Sequence, residues 1–286
     1  MPHLITGATG ALGGAIIAAI KSQGLEEHFI LGARRTEALD DTGFEVRHVD
    51  YDDVDTLHRS FSNIETLLLV SSNAPNAVRK RQHRAVIQAA SARGVERIVF
   101  TSLLGADDPG DNKVLDVYHD AEQALQAQAL RHVIMRNGVY LDALPSLMGG
   151  FEDTGTVAMP SGSAPVSWVS RSDIASFALE IMLDPGAEGV FAIAAPGPCS
   201  MPEAITCVSR HTGVPIAYIE PTRHEYIQRL VSKGLPETIA TTFAEVCRAL
   251  ATGKVVGSSE PFSRRMGRPA EGLASFVART FVAGSE

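Results

Sequence analysis

The chain has 286 residues, of which 45% are hydrophobic and 20% are charged, which is the composition of a globular protein and excludes a disordered or fibrous one. The formal net charge is −8, and this acidic balance argues against a nucleic acid or an anionic membrane surface as a partner. No basic segment followed by an apolar one opens the chain, no apolar run approaches membrane-spanning length, and the three cysteines match no zinc spacing, so we expect a cytoplasmic protein without a metal site.

The first half of the chain alternates short apolar runs with helical stretches. The predicted strands are His3–Thr6, Phe29–Gly32, Glu45–Val49, Thr66–Ser71, Arg97–Thr101 and Val133–Asn137. The predicted helices are Leu12–Gln23, Asp53–Phe61, Ala77–Arg93 and Asp116–Ala129. Strands without polar alternation are typical of parallel strands covered on both faces. The pattern predicts an α/β fold with a Rossmann-type, doubly wound parallel sheet.

The alternation loosens after residue 140, where insertions would form a substrate pocket. A helix over Ser172–Leu183 and a strand over Gly189–Ala194 are followed by the break Ala195–Pro198. Beyond it we predict helices over Glu203–Thr212 and Pro236–Gly253 with a short strand, Ile216–Ile219, between them. The predicted domains are therefore residues 1–195 and a smaller C-terminal α/β cap over residues 196–286.

A glycine-rich loop connects the first strand to the first helix, which is the context that a dinucleotide-binding loop requires. Gly7 would turn the chain out of the strand, Gly10 would let a pyrophosphate approach the backbone, and Gly13 would let the helix pack closely. The helix N-terminus offers N–H groups to the phosphates. The residues predicted to bind the cofactor here are Gly7, Ala8, Thr9, Gly10, Ala11, Leu12 and Gly13.

Two arginines, Arg34 and Arg35, follow the second strand. Sites for NAD usually place Asp or Glu at this position, whereas a guanidinium suits the 2′-phosphate of NADP(H). The alternative is that both arginines are solvated surface charges near Glu37 and Asp40. The sequence favours NADP(H) as cofactor, with Arg34 as the stronger candidate contact.

Five segments together resemble the NmrA-like atypical short-chain dehydrogenase/reductases, and in particular their NADPH-dependent quinone oxidoreductase and triphenylmethane-reductase branch. These segments are Thr6–Gly13, Gly43–Tyr51, Gly94–Ser102, Arg136–Tyr140 and Val169–Ala175. The similarity extends over at least the first 195 residues, so the resemblance implies that residues 1–195 form an NAD(P)-binding domain and that the tail covers the substrate.

The resemblance implies further contacts with the cofactor at the ends of three strands. Asp50 would lie beside the adenine; Ser71, Ser72 and Asn73 would lie along the pyrophosphate and inner ribose; Asn137 and Gly138 would lie near the nicotinamide. Each position also has a purely structural interpretation. Asp50 could cap the helix that follows, and the serines could satisfy backbone groups at the strand end.

Short-chain dehydrogenases usually carry a catalytic Tyr followed four residues later by Lys, and this chain departs from that pattern. Here Tyr118 is followed by Glu122, and aligning Glu122 with the family's helix glutamate puts Tyr118 in the lysine position and Val114 in the tyrosine position. Ser102 occupies the usual serine region. Tyr118 and Ser102 are therefore the catalytic candidates, although Tyr118 could instead serve only in packing.

Two functions fit these features. The first is an NADPH-dependent reductase that transfers hydride to a quinone or similar electrophilic small molecule without a Tyr–Lys pair, because such acceptors need little acid–base help. The second is a catalytically silent, NADP(H)-sensing regulatory protein of the NmrA type. A sugar-nucleotide epimerase is disfavoured by the missing Tyr–Lys pair, and a homodimer is left open.

Two other groups of residues have functional and structural interpretations. The basic segment from Arg79 to Arg84 is interpreted as a solvated helix face rather than a nucleic-acid site, given the acidic chain. Trp168, Phe151 and Tyr140 would line an apolar substrate pocket or, for Trp168 above all, pack in the core.

Overall fold

A computed structural model describes residues 2–149 and 151–282. Its strands are β1 (His3–Ile5), β2 (Phe29–Ala33), β3 (Glu45–His48), β4 (Thr66–Leu69), β5 (Arg97–Leu103), β6 (Arg131–Asn137), β7 (Val139–Tyr140), β8 (Thr156–Ala158), β9 (Trp168–Val169), β10 (Gly189–Ile193) and β11 (Ala217–Ile219). Its helices are α1 (Ala11–Lys21), α2 (Val54–Ser60), α3 (Asn76–Ala92), α4 (Lys113–Gln126), α5 (Leu144–Met148), α6 (Phe151–Thr154), α7 (Arg171–Leu183), α8 (Met201–Thr212), α9 (Arg223–Ser232), α10 (Glu237–Ala251), α11 (Glu260–Met266) and α12 (Leu273–Thr280).

The main sheet has the strand order β10-β6-β5-β4-β1-β2-β3. The neighbours from β3 to β5 pair parallel, with Leu4 of β1 opposite Ile30 of β2 on one side and Leu67 of β4 on the other. The predicted Rossmann-type α/β sheet is confirmed. Chain order reverses between β1 and β4, and ligands of such sheets bind at the carboxyl ends of the strands beside this switch point.

Apolar sequence accounts for the sheet and for the first helix. Leu67, Leu68 and Leu69 of β4 are fully buried, as expected for a strand covered on both faces. In α1 the buried residues Leu12, Ile16 and Ile20 recur at helical spacing, and this helix packs against α7. The regular spacing is why these elements could be predicted from the sequence alone.

A buried arginine of β5 stabilises the end of α7. The Arg97 guanidinium donates to the carbonyl oxygen of Met182, in the last turn of α7, at 2.9 Å, and to that of Asp184, which directly follows the helix. Arg97 is 2% exposed, and this burial lowers the pKa of its guanidinium from the usual value. The charge is thus solvated by the negative end of a helix rather than by water.

The described residues form two compact units, each drawn from several segments of the chain. The first contains residues 2–102, 117–136 and 171–191, and its apolar core includes Phe61, Leu67 and Phe100. The second contains residues 103–116, 137–149, 151–170 and 192–282, and its core includes Trp168 and Leu250. The predicted domain boundary between residues 195 and 196 stays a prediction, and residues 283–286 of the predicted cap lie outside the described residues.

The second unit contains two short sheets, in which β8 pairs with β11 and β7 pairs with β9. The prediction missed β7, β8 and β9 because strands of two or three residues carry no periodic signal. Helix α8 begins before the predicted Glu203 because Ser200 caps it. The Ser200 hydroxyl accepts from the Glu203 N–H, and the Glu203 carboxylate accepts from the Ser200 N–H, which is a capping box.

Candidate functional site

The glycine loop between β1 and α1 requires glycine at two of its positions, Gly7 and Gly13. Gly7 has a φ of +66°, in the left-handed region that favours glycine. A Cβ at Gly13 would lie 2.5 Å from the carbonyl oxygen of Gly7 and 2.6 Å from that of Ala8. Backbone cannot move aside as a flexible side chain can. Only glycine at position 13 therefore lets α1 start this close to the loop.

The N-terminus of α1 is exposed and has no side-chain cap among the described residues. Its N-cap is Gly10, and its first turn contains no acidic residue. The first N–H groups of a helix have no partner within it, and they carry a positive partial charge. Thr9, Gly10 and Ala11 are exposed, whereas Ala8 and Leu12 are buried. The exposed start of this helix, with glycine at its N-cap, therefore fits a diphosphate group.

A hydrogen-bond network behind the loop holds its first residue. The Thr6 hydroxyl donates to the carbonyl oxygen of Leu68 at 2.9 Å and accepts from the N–H of Val70 at 3.1 Å. The Tyr51 hydroxyl bonds to Thr6 Oγ1 and lies 2.9 Å from the carbonyl oxygen of Val70. Burial raises the pKa of Tyr51, so it stays a neutral donor. The network ties the ends of β1 and β4 together beneath the loop.

Arg34 and Arg35 follow β2 and are exposed. Across residues 2–149 and 151–282, neither guanidinium makes a hydrogen bond or an ion pair with the protein. Two adjacent positive charges without a protein partner are available to an anion. A nearby carboxylate, Asp52, is already engaged: hydrogen bonds from Arg81 and Gln82, at 2.6 and 2.7 Å, lower its pKa.

Asp50 lies in the turn between β3 and α2. One of its carboxylate oxygens accepts from the backbone N–H of Asp52 at 3.0 Å. The cap of α2 is Asp53, whose side chain accepts from the N–H groups of Asp55 and Thr56. The capping role considered for Asp50 is therefore filled by another residue, and the predicted contact with adenine stays a prediction.

The serines after β4 are held by residues of α3. The Ser71 hydroxyl accepts from Nη2 of Arg79 at 2.9 Å and lies 3.2 Å from Nε2 of His83. The Ser72 N–H donates to the same His83 nitrogen at 3.3 Å, and the Ser72 hydroxyl donates to Gln82 at 2.6 Å. Burial lowers the pKa of His83 to about 3. The ring is thus neutral, with its proton on Nδ1 because Nε2 accepts. Asn73 is exposed.

The expectation that the basic segment 79–84 is a solvated helix face was half wrong. Arg79 is 6% exposed and His83 is fully buried, and both side chains lie on the inner face of α3. The outer face carries Lys80, Arg81 and Arg84, each of which pairs with an aspartate. Arg79 and His83, which bond to the predicted contacts Ser71 and Ser72, are therefore candidate site residues that the sequence analysis missed.

Ser102 belongs to a buried polar cluster on β5, α4 and β6. Its hydroxyl donates to Oε1 of Glu122 at 2.6 Å. The same carboxylate accepts from Nε and Nη2 of Arg136, at 3.0 and 2.6 Å. Glu122 is 2% exposed. The hydrogen of Ser102 is thus already committed, and its predicted catalytic role stays a prediction.

Tyr118 lies on α4, half-buried between two side chains. The Arg79 guanidinium carbon is 4.7 Å from the centre of its ring, and the Phe100 ring centre is 6.4 Å away. Its hydroxyl makes no hydrogen bond to any part of the chain that the structure describes. The ring is therefore fixed by packing while the hydroxyl is left available.

In the second unit, Asn137 ends β6 and is fully buried. Neither its amide oxygen nor its amide nitrogen has a hydrogen-bond partner among the described residues. A Cβ on Gly138 would lie 2.5 Å from the carbonyl oxygen of Ser167, so glycine is needed there. Trp168 is buried and donates to the carbonyl oxygen of Cys199 at 3.1 Å, which places it in the core of this unit. Phe151 is also buried.

Two further features, a metal-ion cluster and a membrane-spanning helix, are absent from the described ranges. Residues 2–149 and 151–282 contain no group of three or more His, Cys, Asp or Glu side chains placed to hold a metal ion. No helix in the same ranges combines the length and apolar character that crossing a membrane requires.

Comparison with known proteins identifies the family. The sequence profile of the NmrA-like family matches residues 3–273. The chain belongs to the NmrA-like family. The resemblance seen in the sequence is thereby confirmed, and the match extends beyond the first 195 residues into the tail.

This NmrA-like protein is 28% identical over 281 residues to Quinone oxidoreductase 2 of Escherichia coli strain K12, covering 97% of this chain and 98% of the relative. Its structure is similar to that of an NADPH-dependent quinone oxidoreductase from Escherichia coli complexed with NADPH, with a TM-score of 0.87, 28% identity and coverage of 98% and 100% of the two chains. It is equally similar to triphenylmethane reductase of Citrobacter sp. complexed with NADP(H), with a TM-score of 0.87, 25% identity and the same coverage.

Proposed function

We propose that this NmrA-like protein is an NADPH-dependent reductase that transfers hydride to a quinone or a similar electrophilic small molecule. The observation that carries the proposal is the glycine loop, which leads into an exposed helix N-terminus that has a glycine N-cap and no side-chain cap. The unpaired Arg34 and Arg35 support a 2′-phosphate on the cofactor. Similarity to proteins named quinone oxidoreductase and triphenylmethane reductase supports hydride transfer to an electrophilic small molecule as the class of reaction.

Different residues would contact different parts of the cofactor. The backbone from Gly7 to Gly13 would bind the pyrophosphate, and Arg34 with Arg35 would bind the 2′-phosphate. Asp50 would contact the adenine. Ser71, Ser72 and Asn73 would contact the pyrophosphate and inner ribose, and Asn137 with Gly138 would contact the nicotinamide. The unpartnered amide of Asn137 suits such a contact, because a buried polar group without a partner is costly.

When bound, NADPH supplies the hydride. A quinone that accepts hydride becomes a delocalised, weakly basic anion that solvent can protonate, so the protein needs no Tyr–Lys pair. Its contribution is orientation and exclusion of water. Within this scheme Tyr118 orients cofactor or substrate through its free hydroxyl, and Ser102 has a positioning role through Glu122.

The direct test is to incubate the purified protein with NADPH and a panel of quinones while following nicotinamide absorbance. Oxidation of NADPH that depends on the quinone is the expected result. Tight NADPH binding without turnover on any quinone, azo or triphenylmethane acceptor would instead favour the NADP(H)-sensing regulatory function.

Arg34→Ala is expected to weaken NADPH binding by about tenfold to a hundredfold, because it removes a charge-assisted hydrogen bond to the 2′-phosphate. NADH lacks that phosphate, so its affinity is expected to change by less than about threefold. Fluorescence titration of both nucleotides measures the difference. Arg93→Ala, which removes an exposed arginine bonded to Ser62, is the matched control. Equal losses for the two nucleotides would contradict selection by Arg34.

Tyr118→Phe is expected to reduce quinone-dependent NADPH oxidation by about tenfold or less, the loss of roughly one hydrogen bond. General acid catalysis would contribute more, about a hundredfold to ten-thousandfold. The rate is measured at saturating NADPH, with the Kd for NADPH measured separately. Tyr218→Phe, which removes a hydroxyl bonded to the carbonyl of Met159, is the control. A loss beyond about a thousandfold with normal NADPH binding would identify Tyr118 as an essential proton donor.

A further inference from the structure

Arg79 on α3 is a buried cation without a counterion. It is 6% exposed, its Nε has no hydrogen-bond partner, and it makes no ion pair within the described part of the chain. Burying a charge is costly unless an opposite charge or enough hydrogen bonds offset the lost hydration. A fold that keeps this guanidinium buried and under-satisfied therefore implies a further group that binds it.

The other basic side chains of the segment 79–84 have acidic partners, so the missing counterion is specific to Arg79. Arg81 lies 2.6 Å from a carboxylate oxygen of Asp52, and Arg84 pairs with Asp120. Lys80 lies 3.9 Å from the same Asp120. Each of these three cations has an aspartate oxygen within 4 Å, and Lys80 and Arg84 share Asp120. Only the inward-facing arginine of the segment lacks an acidic partner in the described residues.

Two neighbouring residues, Ser71 and Val70, connect Arg79 to the glycine loop. Its Nη2 donates to the Ser71 hydroxyl at 2.9 Å, and Ser71 follows Val70. A Cβ on Gly7 would lie 3.4 Å from the Val70 Cβ, so Val70 touches the first glycine of the loop. The neutral His83 beside Ser71 offers no negative charge. The positive charge thus lies at the carboxyl end of β4, next to the switch point of the sheet.

On its other side the guanidinium lies against the face of the Tyr118 ring, 4.7 Å from its centre. A guanidinium over an aromatic face is attracted by the ring's quadrupole, and the contact also fixes the orientation of the ring. One side chain of α3 therefore holds both a serine at the end of β4 and the tyrosine of α4. Because Arg79 fixes both Ser71 and Tyr118, it can set the position of a ligand that contacts these two residues.

We infer that Arg79 is a positioning residue for the nicotinamide half of the dinucleotide, and that its guanidinium supplies a fixed positive charge beside Tyr118, which is followed four residues later by Glu122 instead of a lysine. The inference rests on the proposed function. The positive charge of Arg79 favours binding of the phosphate nearest the inner ribose. The hydrogen bond to Ser71 and the contact with the Tyr118 ring set the geometry in which these two residues meet the nicotinamide half. Arg34, in contrast, serves the adenosine half.

The test compares a whole cofactor with a fragment. NADPH contains both halves, whereas adenosine 2′,5′-bisphosphate contains the adenosine half with its 2′-phosphate and lacks the nicotinamide half. Arg79→Met keeps the aliphatic length and removes the charge and the fork, and Arg79→Lys keeps the charge alone. Arg84→Met, an exposed arginine on the same helix, is the matched control. Dissociation constants of both ligands are measured for the wild type and each variant.

We expect Arg79→Met to weaken NADPH binding by about tenfold to a hundredfold and to leave the bisphosphate within about twofold of the wild type. Arg79→Lys is expected to lie between the wild type and Arg79→Met, and Arg84→Met is expected to match the wild type. Three results would each overturn the inference: unchanged NADPH binding in Arg79→Met, equal losses of affinity for both ligands, or an NADPH affinity of Arg79→Lys no higher than that of Arg79→Met.

If Arg79→Met does not fold, Arg79→Lys must itself lose NADPH affinity selectively, and wild-type affinity for both ligands would overturn the inference. A wild-type protein that binds neither ligand would instead overturn the proposed function, and this inference with it. The two failures are therefore distinguishable from the wild-type titration alone.

Discussion

Gly10→Val is expected to weaken NADPH binding by more than about a hundredfold while the protein remains folded. Gly10 is the exposed N-cap of α1, with φ −81° and ψ 167°, a conformation that valine adopts readily. Its Cβ would lie 3.2 Å from the carbonyl oxygen of Gly7, so the loop must move by only a few tenths of an ångström. The branched side chain would then fill the space in front of the helix N-terminus, where we place the pyrophosphate.

The matched control for Gly10→Val is Gly14→Val, the same substitution one helical turn further along α1. A Cβ at Gly14 would meet no atom within 4 Å, and the residue is exposed. We expect this variant to bind NADPH as the wild type does. Isothermal titration gives the affinities, and circular dichroism verifies folding. A folded Gly10→Val protein with wild-type affinity would show that the loop does not hold the diphosphate.

Glu122→Ala is expected to destabilise the protein by about 3–5 kcal/mol, because it removes a buried carboxylate that accepts hydrogen bonds from the Arg136 guanidinium and the Ser102 hydroxyl. Glu122 accepts three hydrogen bonds, one from Ser102 and two from Arg136, and is 2% exposed. In a chain of this length that loss corresponds to a fall in Tm of about 10 °C. Thermal unfolding followed by circular dichroism measures it.

Glu188→Ala is the matched control for Glu122→Ala, since it removes an exposed glutamate that pairs with Arg131. Exposed pairs are worth about 0–1 kcal/mol, so its Tm should change little. In the double variant Glu122→Ala/Arg136→Met, part of the loss should be recovered because the guanidinium that binds Glu122 is removed together with it. If Glu122→Ala kept the wild-type stability but lost hydride transfer, the result would contradict a structural role for the Ser102 cluster and favour a catalytic one.

The missed site residues on α3 show both the reach and the limit of sequence reasoning. The segment looks like a basic cluster when it is scanned residue by residue. Taken at helical spacing, positions 79, 82, 83, 86, 87 and 90 form one continuous stripe that ends in the apolar residues Val86, Ile87 and Ala90. This signal could have indicated that Arg79 and His83 face inward. It could not have indicated that Tyr118, 39 residues later, packs against that arginine.

The polar cluster at Ser102 shows a similar limit. The sequence placed Ser102 after a strand and Glu122 on a helix, and it identified the absence of a lysine four residues after Tyr118. It did not indicate that Glu122 binds both Ser102 and Arg136, because these residues lie on three different elements. The sequence therefore predicts Ser102 as a catalytic candidate but does not indicate that its hydroxyl donates to Glu122.

The sequence by itself determined the alternation of strands and helices, the glycine loop and the paired arginines after β2. These features depend on neighbours within a few residues: apolar runs, helical spacing, and backbone freedom at Gly7 and Gly13. The tertiary structure alone decided which buried charges have partners. Arg97 meets the end of α7 and Glu122 meets Arg136, whereas the Arg79 guanidinium meets, among residues 2–149 and 151–282, only a serine and an aromatic ring. Such contacts join residues that are distant in sequence, and their geometry exists only after the helices have packed on the sheet.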